Sequence, residues 1–149
     1  MRVILIIFGI SLLIFMGMGF GMSYIYPPYP LIAKNFFEAI ARKEYTIAYA
    51  MFSKPFKQNI DFQNFQSFIE NSEYISYKEG RWFNNAVGKY NGTLDGVITL
   101  KSGKRLSLQF SFITEPDPQW ANLLPSFLTQ VVGEVTVWRI NEIRSLDAN

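Results

Sequence analysis

The chain has 149 residues, 49% of them hydrophobic and 17% aromatic, with 14 basic and 12 acidic side chains and neither histidine nor cysteine. A formal net charge of +2 is too small for a nucleic-acid footprint, which needs a clustered basic face. Without His and Cys the usual proton shuttle, the thiolate nucleophile, most transition-metal ligands and lipidation on a cysteine are all removed, so neither a metal nor a cofactor is expected.

From Val3 to Met22 no side chain is charged and Ser11 alone is polar. About 20 apolar residues rising ~1.5 Å each match a hydrocarbon core roughly 30 Å thick. Residues 3–22 are therefore expected to lie in a lipid bilayer, inside a transmembrane signal-anchor over 1–25. Arg2 supplies a positive flank, and Gly19 with Gly21 offer the small residues a signal peptidase accepts after an apolar Val3 to Met16, so a cleaved signal peptide is the alternative. The apolar run continues through Tyr24 and Ile25, which favours a retained anchor. A short positive N-terminus orients the following domain outward, against the opposing pull of Lys34, Arg42 and Lys43. The expected location is a bacterial inner (cytoplasmic) membrane, single-pass, with the C-terminal domain periplasmic or extracellular. Gly17 and Gly21 form a Gly-x-x-x-Gly pair suited to helix pairing in the membrane, although glycine is common in such segments anyway. Tyr24, Tyr26 and Tyr29 fall where the chain leaves the bilayer, a position that suits amphipathic rings. Pro27, Pro28 and Pro30 make 26–30 a stiff spacer, and Pro30 also suits the first position of a helix.

The remaining chain, to be read as one domain over 31–144 with a tail at 145–149, opens with helical periodicity. Ile32, Ala33, Phe36, Phe37 and Ile40 recur at three and four between Leu31 and Glu44, as one buried stripe requires. Tyr45, Ala48, Tyr49, Phe52 and Phe56 keep that spacing in a second helix, which Pro55 ends or kinks near Lys54. Asp61 stands at an N-cap position before a third short stripe of Phe62, Phe65, Phe68 and Ile69.

After about Tyr74 the period changes to two. A strand is expected within Ile75 to Val87, centred on Tyr77 or on Trp82 and Phe83. One long bulged strand is expected from Lys89 to Lys101, because the glycines of Asn91-Gly92 and Asp95-Gly96 mark bulges as well as turns. Ser102-Gly103 make a tight hairpin to a strand in which Leu106, Leu108, Phe110 and Phe112 alternate with polar residues. The last strand runs from Glu134 to Ile143. Val135 and Val137 lie on one of its faces and Trp138 and Ile140 on the other, a switch that suggests a bulge or burial on both sides.

Helices first and antiparallel strands afterwards define an α+β order, with three helices on one face of a curved sheet of about four strands. The stretch Ala33-Lys34-Asn35-Phe36-Phe37-Glu38-Ala39-Ile40-Ala41-Arg42-Lys43-Glu44-Tyr45-Thr46-Ile47-Ala48-Tyr49 resembles the opening of the nuclear transport factor 2-like (NTF2-like, cystatin-like cone) superfamily. The likeness is greatest to its small membrane-anchored bacterial envelope members of unknown function. Val137-Trp138-Arg139-Ile140 similarly resembles the Trp-Lys-Ile motif of their final strand. The likeness covers roughly Leu31 to Ile143 and bears on fold more than on function.

Glu115 to Gly133 is longer than the hairpin the resemblance implies, and a loop of that length is either functional or locally structured. Its Trp120, Leu123, Leu124, Phe127 and Leu128 suit a lid, a partner-binding patch, a membrane-touching flap or a short helix packed on the domain itself. Enzymes of the superfamily use an Asp or His base with a Tyr oxyanion donor inside the cone. Asp95, Tyr45 and Tyr49 are the residues to test for that role, and with Trp82 they are the candidates for an aromatic ligand pocket. Asp95 before Gly96 equally suits a turn, and the tyrosines equally suit a core. No phosphate-binding glycine loop or calcium-loop spacing occurs. Asn91-Gly92-Thr93 satisfies the glycosylation sequon but matters only on a eukaryotic secretory route. The expected function is a non-catalytic, membrane-anchored outer domain that binds an envelope protein or a second copy of itself. The alternative is a small-ligand sensor or carrier with an aromatic-lined pocket, and a His-free isomerase or dehydratase ranks behind both.

Overall fold

The structure is a computed structural model that describes residues 28–116 and 136–146. It is an α+β arrangement: helices α1 (Tyr29–Ala41), α2 (Tyr45–Ala50), α3 (Lys54–Asn59) and α4 (Phe62–Glu70), a 3-10 turn at Glu73–Ser76, then strands β1 (Tyr77–Val87), β2 (Asn91–Leu100), β3 (Arg105–Pro116) and β4 (Thr136–Ser145). The strands form an antiparallel meander in the order β1-β2-β3-β4. Among the described residues no helix is long and apolar enough to cross a membrane. The proposed span 3–22, with Gly17 and Gly21, lies outside them, as do Trp120, Leu123, Leu124, Phe127 and Leu128.

Helix α1 buries Ala33, Phe36, Phe37 and Ile40 as its spacing requires. It begins at Tyr29 rather than Leu31, so Tyr29 and Pro30 belong to the domain and not to a spacer. Tyr29 is wholly buried, its ring stacked on Phe112 at 4.5 Å and edge-on to Trp138 at 4.9 Å. A tyrosine expected at a bilayer interface is thus a core residue. The helix closes with Lys43 at φ 60°. The Lys43 N–H donates to Ile40 O at 2.9 Å and the Glu44 N–H to Ala39 O at 2.8 Å, the paired bonds of a Schellman ending that usually carries glycine at the left-handed position.

The expected second helix is two. Helix α2 stops at Ala50, and Phe52 forms a parallel bridge to Ile140. Ser53 then caps a new helix in which Pro55 sits in the first turn, where its missing N–H removes no bond. Ser53 is buried. Its hydroxyl donates to Asn141 Oδ1 at 3.0 Å and accepts from Phe56 N–H at 3.3 Å, while its own N–H donates to Ile140 O at 2.8 Å. The α2–α3 junction is thereby fastened to β4. Asp61 caps α4 as its position suggests, accepting from Asn64 N–H at 2.8 Å. Phe65 and Ile69 face inward, whereas Phe68 is 62% exposed.

In β2 burial alternates over the whole strand, with Gly92, Leu94, Gly96, Ile98 and Leu100 facing the helices. The expected bulges are not in β2. They lie in β1, where Lys78 and Asn84 are the extra residues of the pairing. The two β2 glycines instead leave room for aromatic rings: a Cβ at Gly92 would collide with Tyr29, and one at Gly96 with Trp82. Strand β4 carries a bulge at Asn141, the residue left over between the Ser111–Glu142 and Phe112–Ile140 pairs. This extra residue lets Ile140 and Ile143 both meet the inner face, and the strand continues to Ser145. Phe110, Phe112, Leu108, Ile98 and Leu94 supply the sheet side of one continuous core.

Candidate functional site

Between the helices and the end of the sheet nearest the β2–β3 turn lies a cavity of about 220 Å³. Helix α1 supplies Phe36 and Phe37, α4 supplies Phe65 and Ile69, and Phe52 and Phe56 flank Ser53. Ile143 closes it from β4, Tyr74 from the 3-10 turn, and the partly exposed Ile60 and Phe68 stand at its mouth. Each inner position follows from local sequence: the i, i+3 and i+4 stripes of α1 and α4, and the Asn141 bulge that turns Ile143 inward.

The rings are fixed by one another. Phe52 stacks on Phe56 at 3.8 Å with planes 9° apart, while Phe36 meets Phe52 edge-on at 5.3 Å and 85°. Phe65 meets Phe52 at 5.5 Å and 73°. Rigid rings in mutual edge contact have few rotamers with which to fill an adjoining space. The volume lies between the ~150 Å³ of an apolar cavity that holds benzene and the roughly 300 Å³ at which pockets for drug-sized ligands begin. It therefore suits one ring or a short alkyl chain.

Among the described residues that line it there is no carboxylate, ammonium or guanidinium, and the Tyr74 phenol is the one side-chain polar group. Burial raises the Tyr74 pKa above the ordinary phenol value, and the nearby Glu73 carboxylate raises it further. At neutral pH the hydroxyl stays protonated and is a donor rather than a base. Such a site attracts carbon and offers one hydrogen bond at its edge.

The pocket candidates Tyr45, Tyr49, Trp82 and Asp95 lie outside this lining. Tyr45 is a buried residue at the start of α2. Tyr49 packs on Phe62 and Phe65, and its hydroxyl donates to Ile60 O at 2.7 Å, fixing the α3–α4 junction to α2. Trp82 lies across Gly96 with its ring plane 13° from that of Phe37. Asp95 is on the opposite face of the sheet, accepting from Gln109 Nε2 at 2.9 Å. The sheet therefore separates Asp95 from both tyrosines, and the carboxylate–phenol pair that acid–base chemistry would need is not assembled from them. Trp82 does border a surface depression of about 490 Å³ between α1 and β1, but the charged Lys34, Glu38, Lys78 and Glu79 share its lining with Leu31 and Tyr77, and it is open to solvent. A smaller outer-face hollow near Asp95 contains Glu142 and Arg144, which pair at 2.6 Å. Among the described residues no cluster of three or more potential metal ligands occurs.

None of the cavity's lining residues is a site candidate in the sequence: Phe36, Phe37, Phe52, Phe56, Phe65, Phe68 and Ile69 read there as helix stripes, and Ile60, Tyr74 and Ile143 carry no signal. The available signal was the density of phenylalanine in 52–68, which reads equally well as core. Comparison with protein-family models, curated proteins and solved structures finds no match for the chain.

Proposed function

We propose that the chain is a single-pass membrane protein whose outer domain, of the NTF2-like type, holds a small apolar ligand without catalysing a reaction. The carbon-lined cavity of about 220 Å³ carries this reading. Its lining supports a binding function over an enzymatic one, since none of the described residues around it is a base at neutral pH. The anchor is supported by the uncharged run 3–22, and the NTF2-like type by the order of helices before an antiparallel sheet whose inner face they cover. The ligand class is a monocyclic aromatic or a short acyl chain, taken up with a polar end near Tyr74.

A second reading, binding of an envelope protein or of a second copy, is favoured by one observation. Pro116 and Thr136 are directly paired, so residues 117–135 span a point where a hairpin needs only a few residues. Trp120, Leu123, Leu124, Phe127 and Leu128 in that stretch are its candidate contacts.

The ligand reading is tested by methyl NMR of the full chain in nanodiscs, titrated separately with toluene and hexanoate. Saturable shifts of the Ile69 and Ile143 methyls, unchanged Ile98, and their abolition in Ile143→Trp support it. Shifts that never saturate, or that spread equally to the exposed Ile47 and Ile75, overturn it.

A further inference from the structure

The burial of Tyr29 fixes how near the domain sits to whatever precedes it. The uncharged run ends at Met22 and Pro28 already occupies the cap position of α1, so Ser23 to Pro27 are the only residues between them. Five extended residues reach at most about 18 Å. The Tyr29 hydroxyl lies against Gly92, and Gly92 pairs with Val87 at the base of the β1–β2 turn. Adding the length of a tyrosine side chain to two or three residues at ~3.3 Å each puts the turn within roughly 15 Å of the start of α1.

What this end displays has the chemistry of a membrane interface. Leu31 in the first turn of α1 is 56% exposed, Val87 49% and Tyr90 61%. Lys89 holds its ammonium 4.9 Å from the centre of the Tyr90 ring. An aliphatic pair, a phenol and a cation together match the preference of headgroup regions for amphipathic aromatic and basic side chains. The turn is held in place, since the Thr114 N–H donates to Tyr90 O at 2.9 Å and the Gly88 N–H to Asn91 O at 2.8 Å. Exposed apolar side chains on a pinned turn bring little ordering entropy to a contact.

We propose that the end of the domain carrying Leu31, Val87, Lys89 and Tyr90 rests on the headgroups of the bilayer that holds residues 3–22. The domain then stands with a fixed orientation, and the β2–β3 turn and the aromatic cavity point away from the membrane. This inference rests on the reading of residues 3–22 as an anchor.

Because the chain has no cysteine, single reporters can be placed at will. Full-length Val87→Cys and Ser102→Cys, each carrying an environment-sensitive fluorophore, are reconstituted into 3:1 phosphatidylethanolamine–phosphatidylglycerol vesicles containing headgroup-spin-labelled lipid. Ser102 lies at the far end of a ten-residue strand, about 30 Å away. Quenching at position 87 at least threefold greater than at 102, falling toward the level at 102 when Leu31→Ser and Tyr90→Ser are added, supports the proposal. Tyr90→Cys, with Leu31→Ser and Val87→Ser as the added changes, serves as a second tip reporter if Val87→Cys fails to fold. Equal quenching at both ends of vesicle-bound protein overturns it while leaving the anchor intact. Failure of the full chain to float with vesicles overturns the anchor and this proposal together.

Discussion

The ring of Tyr29 lies 4.5 Å from that of Phe112 with their planes 7° apart, which joins the first residue of α1 to the third strand of the sheet. The Tyr29 hydroxyl is buried and has no hydrogen-bond partner among the described residues. A buried phenol that makes no bond forfeits its hydration without return, at about 1–3 kcal/mol. Tyr29→Phe keeps the stack and removes that penalty. It is expected to raise stability by about 1 kcal/mol in urea denaturation, with a Tm higher by several degrees. A loss of 1 kcal/mol or more would show that the hydroxyl has a partner.

Burial also pushes the Tyr29 pKa up to about 12. Tyr77 is raised as well, first by burial and then by Glu38 and Glu79, and Tyr74 by burial and then Glu73. For Tyr29 the folded state keeps its proton between pH 10 and about 12 while the unfolded state has lost it. Stability is then fully present below pH 10 and falls as pH rises toward 12, by about 1.4 kcal/mol per pH unit for one such group. Denaturation measured at pH 9 and pH 11 should show the fall, and Tyr29→Phe should show a smaller one. A stability that is level across that interval contradicts the assignment.

Trp82 and Gly96 are a second matched pair, ring against missing side chain. Gly96→Ala forces Trp82 off its seat and is expected to lower stability by about 1–3 kcal/mol, the usual range for overpacking. In a Trp82→Ala background the same change should cost at least about 1 kcal/mol less, since only the contact of the new Cβ with Arg81 O at 3.0 Å remains. The coupling in a double-mutant cycle by urea denaturation is the measurement. Additive effects would mean that the glycine is there for another reason.

At Lys43 the backbone is in the left-handed region, φ 60°, where a Cβ is disfavoured. Lys43→Gly relieves the strain but raises unfolded-chain entropy. The net expectation is a gain of about 0.5–1 kcal/mol by thermal or urea denaturation. Destabilisation would instead point to a contribution from the lysine side chain larger than that strain.

The parts of this fold legible in the sequence were those set by local periodicity. Leu108, Phe110 and Phe112 alternate because one face of β3 is buried, and they are buried in the structure. Asp61 announces α4 because a short carboxylate bonds the free N–H groups of a first turn. Ser53 with Pro55 carried a similar start signal, but the helical spacing of Phe52 and Phe56 ran across it and concealed the break. Tyr29 could not be read correctly from its neighbours, since its burial depends on a glycine 63 positions later in the chain. Gly92 and Gly96 signalled a backbone peculiarity, and the space they leave is filled from α1 and β1 rather than by a bulge.

The candidate site was less legible than the fold for the same reason. Phe36, Phe52 and Phe65 were recognised as inward-facing, but whether inward rings close on one another or leave a space depends on their mutual angles across α1, the α2–α3 junction and α4. No single-chain periodicity encodes those angles. Asp95 is a carboxylate among strand residues, and the alternation of β2 assigns it to the outer face once Leu94 and Ile98 face inward.

Whether an open apolar space lies among these rings is decided by xenon. An apolar space of this size takes up a noble gas. Crystals of the domain pressurised with xenon should show an anomalous peak between Phe36, Phe65 and Ile143, absent in Ile143→Trp. Rings closed on one another there, with no xenon bound at pressure, would mean that the protein has no apolar site between them.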